Sequence, residues 1–287
     1  MTPARAVSLA GFAVALALGL AAMRPLSSRA DGGEGSAWSA SSLEIRGSGA
    51  MGQLARSLAE QFMSEHPGTT VTVQTCGGHQ ALKALIIGTA DLAMGTDEIP
   101  EELEKLSRDT GVKLKRTDVY RDAVEVVVHP TNPVRNLSSR QIRDIFRGAI
   151  SNWKEVGGPD APIEVLTVSS TSAAYEVFKR RVLGSDAVMT PRATVVGHRQ
   201  MKESLGPFAI AYAGMSQVGR QQLQAVTVDG IGATAQTVSN GQYPIVRHMS
   251  VYQREPSTAL ADQVVASFLA PAQGQKLVLQ AGNVPVN

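Results

Sequence analysis

Apolar and polar positions between residues 43 and 96 alternate in some segments and recur at helical spacing in others. Residues 43–46 and 70–75 alternate as half-buried strands do, so we predict a strand at each. Residues 50–65 carry apolar side chains three and four positions apart, which predicts a helix ending at His66-Pro67-Gly68. The apolar face of that helix consists of Met51, Leu54, Leu58 and Phe62.

The same order of strand, loop and helix recurs farther along. A helix is predicted after Gly77-Gly78 and stops at Gly88, and residues 90–94 form another short strand. Strand, loop and helix thus occur three times, which predicts an α/β lobe with a largely parallel sheet.

A second α/β lobe is predicted from residue 123 onward. Its strands are predicted at residues 123–129, 163–168, 208–212 and 225–228, and its helices at 138–146 and 172–183. Two terminal helices, at 259–269 and 272–281, are expected to pack back on the first lobe. The fold class predicted is therefore α/β with two lobes.

The first 30 residues have the composition of a secretory signal peptide. Arg5 precedes an apolar run at residues 6–23, and Ser28-Arg29-Ala30 supplies the small residues at which a signal peptidase cuts. An uncleaved membrane anchor is the alternative, because the run is close to the ~18 residues that can span a bilayer. We expect cleavage, a linker at 31–42, and a periplasmic or secreted protein.

Charge and cysteine content exclude several classes of protein. Hydrophobic residues make up 43% and charged residues 18% of the 287 residues, which suits a folded protein. Without residues 1–30 the chain has 24 basic and 25 acidic residues, so no nucleic-acid surface is indicated. Cys76 is the only cysteine and cannot form an internal disulfide.

Hydroxyl and glycine residues concentrate where a strand gives way to the next element. Ser48-Gly49, Gly77-Gly78-His79, Thr96-Asp97 and residues 169–172 all occupy such junctions. Ligands of open α/β sheets bind beyond the carboxyl ends of the strands, where helix starts offer free N–H groups. Ser, Thr and Asp are also ordinary helix N-caps, so at any single junction capping alone explains the residue. With four such junctions, an anion site and simple helix capping explain these residues about equally well.

Longer motifs carry a resemblance to a known family. Residues 130–134, 137–148 and 152–158 resemble the phosphate-binding proteins of ABC uptake systems, as do residues 88–94 and 236–247. The resemblance covers roughly residues 43–285 in order. It implies a type II periplasmic-binding-protein fold, with a hinge and a ligand cleft between two lobes. Lobe 1 would comprise 43–122 and 236–287, and lobe 2 would comprise 123–235.

The resemblance also implies a set of ligand-binding residues. By position they are Ser48, Gly49, Ala50, Gly78, Thr96, Asp97, Ser172, Ala173 and Tyr175. Candidates to supply further donors are His79, Thr171, His198 and Arg199, for each of which a surface position is the alternative. The loops depart from the family pattern, since a hydroxyl residue is absent at Ala50, Gly78 and Ala174 and a glycine is absent at Ala173. Each missing hydrogen bond to a charged group is worth roughly 1.5–3 kcal/mol.

Asp97 would bear on selectivity if it faced the cleft. A carboxylate accepts a hydrogen bond from the proton that phosphate carries near neutral pH, whereas sulfate carries none, so Asp97 would favour phosphate. The alternative is that Asp97 caps the helix that begins near Pro100.

The resemblance implies capture of phosphate or a related oxyanion for an ABC permease, by a protein that is not an enzyme, needs no cofactor or metal, and is a monomer. The alternative is a sensory or regulatory protein of the same fold with altered or lost anion specificity. No nucleophile elbow or metal-ligand spacing is present in the sequence, and the five histidines are scattered.

Overall fold

The computed structural model describes residues 41–96, 99–184 and 186–286, which belong to one compact unit. The strands are β1 (Ser41–Gly47), β2 (Thr69–Thr75), β3 (Leu92–Thr96), β4 (Lys113–Val128), β5 (Asn136–Leu137), β6 (Glu164–Thr167), β7 (Thr194–Val195), β8 (Ala209–Gly214), β9 (Gln224–Ala225), β10 (Thr227–Val228), β11 (Val246–Glu255) and β12 (Val284–Pro285). The helices are α1 (Gly49–Glu65), α2 (Gly78–Ile86), α3 (Glu101–Thr110), α4 (Ser139–Arg147), α5 (Ala173–Phe178), α6 (Met201–Ser204), α7 (Met215–Gln221), α8 (Ala235–Ser239), α9 (Ala259–Leu269) and α10 (Lys276–Gln280).

The first lobe is built on the strand order β2-β1-β3-β11-β4. β1 pairs in parallel with β2 and β3, whereas β11 runs antiparallel to both β3 and β4. The apolar face of α1 is buried against β1 together with α9, which returns from the far end of the chain. α2 packs on the other side with Tyr252 and Leu103. Parallel strands joined by helices place the loops that follow β1 and β2 at one edge of the sheet.

The second lobe repeats this plan over a shorter sheet. β6 lies between β7 and β8 and is parallel to both, and β8 is antiparallel to the end of β4. Phe146, Phe178 and Tyr212 form its aromatic centre, with the Phe178 and Tyr212 rings stacked 3.9 Å apart. Trp153 is fully buried beside them, and its Nε1 donates to Phe208 O at 2.8 Å. The predicted two-lobed α/β fold is confirmed.

β4 runs without interruption through both lobes. Its first half, to Ala123, pairs with β11, and residues 124–128 pair with β8. The sequence predicted only the second half, because the first half is charged and largely exposed on one side. The two lobes are therefore joined through a hydrogen-bonded strand rather than through a loop alone.

Several predicted boundaries differ from the structure. The helix predicted at 172–183 is α5 followed by a π-helical turn at Lys179–Leu183, and the last predicted helix is a similar turn at Pro271–Gln275 followed by α10. The strand predicted at 225–228 is divided into β9 and β10, which pair with different partners. β11 was not predicted, since buried polar side chains interrupt its apolar pattern.

The division of the chain between lobes stays a proposal. Val238, Tyr243 and Ile245 pack in the second core cluster, whereas β11 and α9 belong to the first lobe. The boundary proposed at residue 236, where the chain would return to lobe 1, therefore lies before residues that pack with lobe 2. Among the described residues, no helix has the length and apolar character that a membrane span requires. The predicted signal peptide and linker lie outside the described residues, apart from Ser41 and Ser42, which begin β1.

Glu125 is a buried carboxyl in the middle of β4. It is 8% exposed, and burial together with the Asp122 carboxylate raises its pKa to about 7. A carboxyl whose pKa is raised by folding binds more protons in the folded state, so stability falls as the pH rises from its unfolded pKa through about 7.

Glu125→Gln is expected to remove the loss of stability that ionisation of the buried Glu125 carboxyl causes. The free energy of unfolding should rise by about 1–3 kcal/mol near pH 8 and by less than about 1 kcal/mol near pH 5. Urea unfolding at the two pH values measures this difference. Glu60→Gln, on the exposed side of α1, is the matched control and should change stability at neither pH. An equal gain at both pH values would contradict the assignment.

Candidate anion-binding cleft

A cleft of about 650 Å³ lies between the two lobes. The first lobe contributes the start of α1 and the loop from Thr75 to Gly77. The second lobe contributes the loop around Ser169–Ala174, the turn at His198 and Arg199, and α7. The described lining includes four arginine side chains and no carboxylate. The charge and the helix starts together favour an anionic ligand.

The start of α1 is fixed by the close approach of β1 and β3. A Cβ built on Gly47 would lie 2.5 Å from Met94 O, so a larger residue would force the strands apart. With glycine there, Ser48 N donates to Met94 O at 3.0 Å. Ser48 is the N-cap of α1, its Oγ accepts from Ala50 N at 3.3 Å, and it is 4% exposed. One hydroxyl and the first N–H groups of a 17-residue helix thus face the cleft.

Ser172 has the corresponding position in the second lobe. It is the N-cap of α5, and its Oγ accepts from Ala174 N at 3.2 Å. The same Oγ lies 3.0 Å from His198 Nε2. Both loops therefore present a serine N-cap to the cleft, but the Ser172 hydroxyl also has a protein partner.

Gln217 determines the direction of the bond between Ser172 and His198. Its Nε2 donates to His198 O at 2.7 Å, which leaves its Oε1 to accept from His198 Nδ1 at 3.1 Å. Neutral His198 then has an unprotonated Nε2, and the Ser172 hydroxyl donates to it. An anion that accepts a hydrogen bond from the Ser172 hydroxyl therefore replaces His198 Nε2 as its acceptor.

The lobes approach each other closely at the inner end of the cleft. A Cβ built on Gly77 would lie 3.6 Å from Thr171 O across the gap. A side pocket of about 20 Å³, room for roughly one water molecule, lies beside this point and is lined by Ser48, Gly78, Thr96, Ala173 and Glu176 among others. Burial raises the pKa of Glu176, an effect partly opposed by nearby Arg180, His79 and Arg247. Glu176 is the one carboxylate among the described residues lining either pocket.

A buried ion pair lies between the lobes. Asp122 Oδ2 accepts from Arg247 Nε at 2.9 Å and from Nη2 at 2.5 Å, and both side chains are about 96–97% buried. Asp122 Oδ1 accepts from Met215 N, the first residue of α7, at 3.2 Å. Gly214 makes room for the pair, because a Cβ there would lie 3.1 Å from both charged groups. Arg247 also lines the cleft, and its buried Nη1 has no hydrogen-bond partner among the described residues.

Most of the predicted ligand-binding residues come together in these two pockets. Ser48, Gly49, Ala50, Thr171, Ser172, Ala173, His198 and Arg199 line the cleft, and Gly78, His79 and Thr96 line the side pocket. Their contact with a ligand stays a prediction. His79 has a protein partner, since its Nε2 lies 3.0 Å from Glu102 Oε1.

Two of the predicted residues are not placed in either pocket. Tyr175 packs against the core of the second lobe instead, because the first turn of α5 directs it inward. Asp97 lies outside the described residues. The helix after it begins at Glu101 with Pro100 as its N-cap. Both expectations for Asp97, a cleft carboxylate and a helix cap, stay predictions.

Sequence reasoning missed much of the cleft wall. Arg56, Cys76, Arg220 and Arg247 all line it. Arg56 lies two turns into α1, one turn beyond Gln53, and helical spacing from Ala50 could have identified both. Burial raises the pKa of the Cys76 thiol, an effect opposed by Arg46. Among the described residues, no group of three or more His, Cys, Asp or Glu side chains could hold a metal ion.

Comparison with known proteins places the chain in a family. The PBP superfamily domain matches residues 32–271. The phosphate-binding protein PstS of Bacillus subtilis is 28% identical over 264 residues, which cover 90% of this chain and 85% of the relative. The predicted resemblance to phosphate-type solute-binding proteins is confirmed.

Two solved structures have the same fold. A phosphate ABC transporter substrate-binding protein from Clostridium perfringens, solved with bound phosphate, has a TM-score of 0.76 and 27% identity, with 86% of this chain and 100% of that chain covered. An ABC-type phosphate transport receptor from Vibrio cholerae has a TM-score of 0.75 and 25% identity, with 84% and 99% covered. Since the domain match extends over most of the sequence and the fold agrees, this chain belongs to the PBP superfamily.

Proposed function

We propose that this chain is an extracytoplasmic solute-binding protein that captures phosphate, or a related oxyanion, for an ABC uptake system. The observation that carries the proposal is the convergence of the starts of α1, α2 and α5 on an arginine-lined cleft between two lobes. Free N–H groups at helix starts stabilise an anion without a metal, and Ser48 and Ser172 add hydroxyl groups.

The relatives support this proposal. They are named for phosphate binding and transport rather than for catalysis, and the chain is a binding protein, not an enzyme. By the same reasoning, its partners would be an oxyanion and the membrane subunits of an ABC permease. Export through the N-terminal segment and a monomeric state complete the proposal.

A sensory or regulatory role remains the second candidate because the loops at the helix starts depart from the family pattern. Alanine stands at positions 50, 173 and 174 of the cleft wall, and the Ser172 hydroxyl is engaged by His198. The two candidates differ in affinity, since an uptake protein needs a tightly bound oxyanion and a protein that has lost the site needs none.

Binding is expected to be independent of metal and to bring the lobes together. Isothermal titration calorimetry of the full chain with phosphate, sulfate and molybdate, each with and without EDTA, measures the first property. Small-angle scattering with saturating phosphate measures the second. Trp153 is buried away from the cleft, so its fluorescence is a poor reporter and calorimetry is preferable.

The results separate the candidates. Uptake of phosphate predicts a saturable heat unchanged by EDTA and a smaller radius of gyration with ligand. Loss of binding in EDTA would contradict the helix-start site. Absence of binding by every oxyanion would favour the sensory alternative.

A further inference from the structure

Arg247 is a buried cation at the point where the two lobes join. In β11 it pairs in register with Asp122 of β4, two residues before Val124, where β4 begins to pair with β8 of the second lobe. Its side chain is 4% exposed, and it still borders the cleft beside the starts of α1 and α7. Arg247 therefore belongs both to the junction of the lobes and to the wall of the candidate site.

The Arg247 guanidinium is bonded to the protein along one edge. Asp122 Oδ2 accepts from Nε and Nη2, and Asp122 Oδ1 accepts from Met215 N. Nη1 is buried and has no partner among the described residues. A guanidinium carries five N–H donors in one plane, so a carboxylate bound along one edge leaves Nη1 able to bind a second oxyanion. Most buried donors in folded proteins have an acceptor, which makes a free one at a cleft wall an indication of a ligand.

The pair lies close to the starts of α1 and α5. Tyr120 Oη donates to Ala50 O, in the first turn of α1, at 3.4 Å. Burial and the Asp122 carboxylate raise the pKa of Tyr120, and the Arg247 charge opposes the rise. Burial also raises the pKa of Glu176, in the first turn of α5, and Arg247 is among the cations that oppose that rise. The Arg247 charge therefore acts on groups at both helix starts.

We propose that Arg247 is a ligand-binding residue whose Nη1 donates a hydrogen bond to the oxyanion held at the starts of α1 and α5. Asp122 occupies the other edge of the guanidinium and balances its charge when the cleft is empty. The donor comes from β11, at the junction of the lobes, rather than from a helix start. This inference rests on the proposed oxyanion site and adds a residue to it.

Arg247→Lys tests the free edge of the guanidinium. Lysine keeps a positive charge that can pair with Asp122, but its ammonium is a point charge without a second edge. Isothermal titration calorimetry of the full chain with inorganic phosphate is expected to show binding at least about 10-fold weaker, which corresponds to about 1.4 kcal/mol. Far-ultraviolet circular dichroism shows that each variant is folded before it is titrated.

A second variant separates the ligand contact from the ion pair. The double variant with Asp122→Asn and Arg247→Met leaves neither charge buried without its partner, but it has no guanidinium to donate to a ligand. Its phosphate affinity is also expected to fall by at least about 10-fold. Phe268→Leu, in the core of the first lobe and outside the cleft lining, controls for lost stability and should change phosphate affinity by less than about threefold.

The outcomes are distinguishable. Affinity close to that of the unsubstituted chain in the double variant would overturn the inference while the oxyanion site stands, because Nη1 would then bond only to water. Unchanged affinity in Arg247→Lys would also overturn it, since a positive charge without the guanidinium edge would then suffice. Absence of phosphate binding by the unsubstituted chain would overturn the proposed function together with the inference.

Discussion

Asp122→Asn is expected to lower the free energy of unfolding by about 3–5 kcal/mol, because it leaves the buried Arg247 guanidinium without a countercharge. Asparagine nearly preserves the size of the side chain and keeps an oxygen for Met215 N, but its NH₂ then faces the Arg247 donors. The loss therefore combines the countercharge with the two hydrogen bonds that Oδ2 accepts. Urea unfolding followed by far-ultraviolet circular dichroism measures it.

A double-mutant cycle separates the pair from its surroundings. Arg247→Met alone should also be strongly destabilising, since the Asp122 carboxylate is then buried without its cation. The double variant with Asp122→Asn and Arg247→Met should lose at least about 2 kcal/mol less than the two single losses combined. Additive losses would show that Asp122 and Arg247 contribute independently, against the geometry of two hydrogen bonds between them.

Ser172→Ala is expected to weaken binding of every oxyanion by about 10- to 150-fold, or roughly 1.5–3 kcal/mol. The variant removes a hydroxyl donor at the cleft and loosens the first turn of α5, whose Ala174 N it caps. Calorimetry with phosphate and sulfate measures both affinities. A similar loss for both anions is expected, because the hydroxyl bonds to either kind of oxygen.

Two control variants make the result specific. Ser138 caps α4 through Gln141 N and is not among the residues lining the cleft, so Ser138→Ala should cost stability without changing affinity. His198→Ala leaves the Ser172 hydroxyl free to donate to a ligand. Gln217 and Gln221 keep their hydrogen bonds to the carbonyl of residue 198 in this variant. Affinity in that variant should be maintained or rise. A loss in His198→Ala as large as that in Ser172→Ala would identify the imidazole, rather than the hydroxyl, as the ligand donor.

The fold could be predicted where one face of each element is apolar. The α1 face and the buried second half of β4 have a clear period, and both were located to within a few residues. β11 escaped prediction because Arg247, Ser250 and Gln253 are polar and buried. Arg247 and Ser250 bond to carboxylates 125 and 132 positions earlier, and Gln253 bonds to Asp262 in the next helix. Local periodicity contains no information on such pairings.

The site could be predicted where a helix begins after a strand. Ser48 and Ser172 were found because cap chemistry is encoded within three or four residues. Arg247 was missed as a site residue because its role depends on Asp122, 125 positions earlier, and on α7. Tyr175, which the resemblance assigned to the site, packs against the core cluster of the second lobe, and its contact with a ligand stays a prediction. Long-range pairing and side-chain direction, rather than residue type, determined these outcomes.

The position of β11 has a consequence for the order in which the chain acquires structure. It is the inner strand between β3 and β4, yet it is contributed by residues 246–255, near the end of the chain. Until those residues have been synthesised, β3 and β4 lack their shared neighbour and α1 lacks the packing of α9. Long-range pairing of this kind slows folding. Nascent chains should therefore complete the contiguous second lobe first and keep the N-terminal part open until β11 and α9 emerge, which would suit the export proposed above.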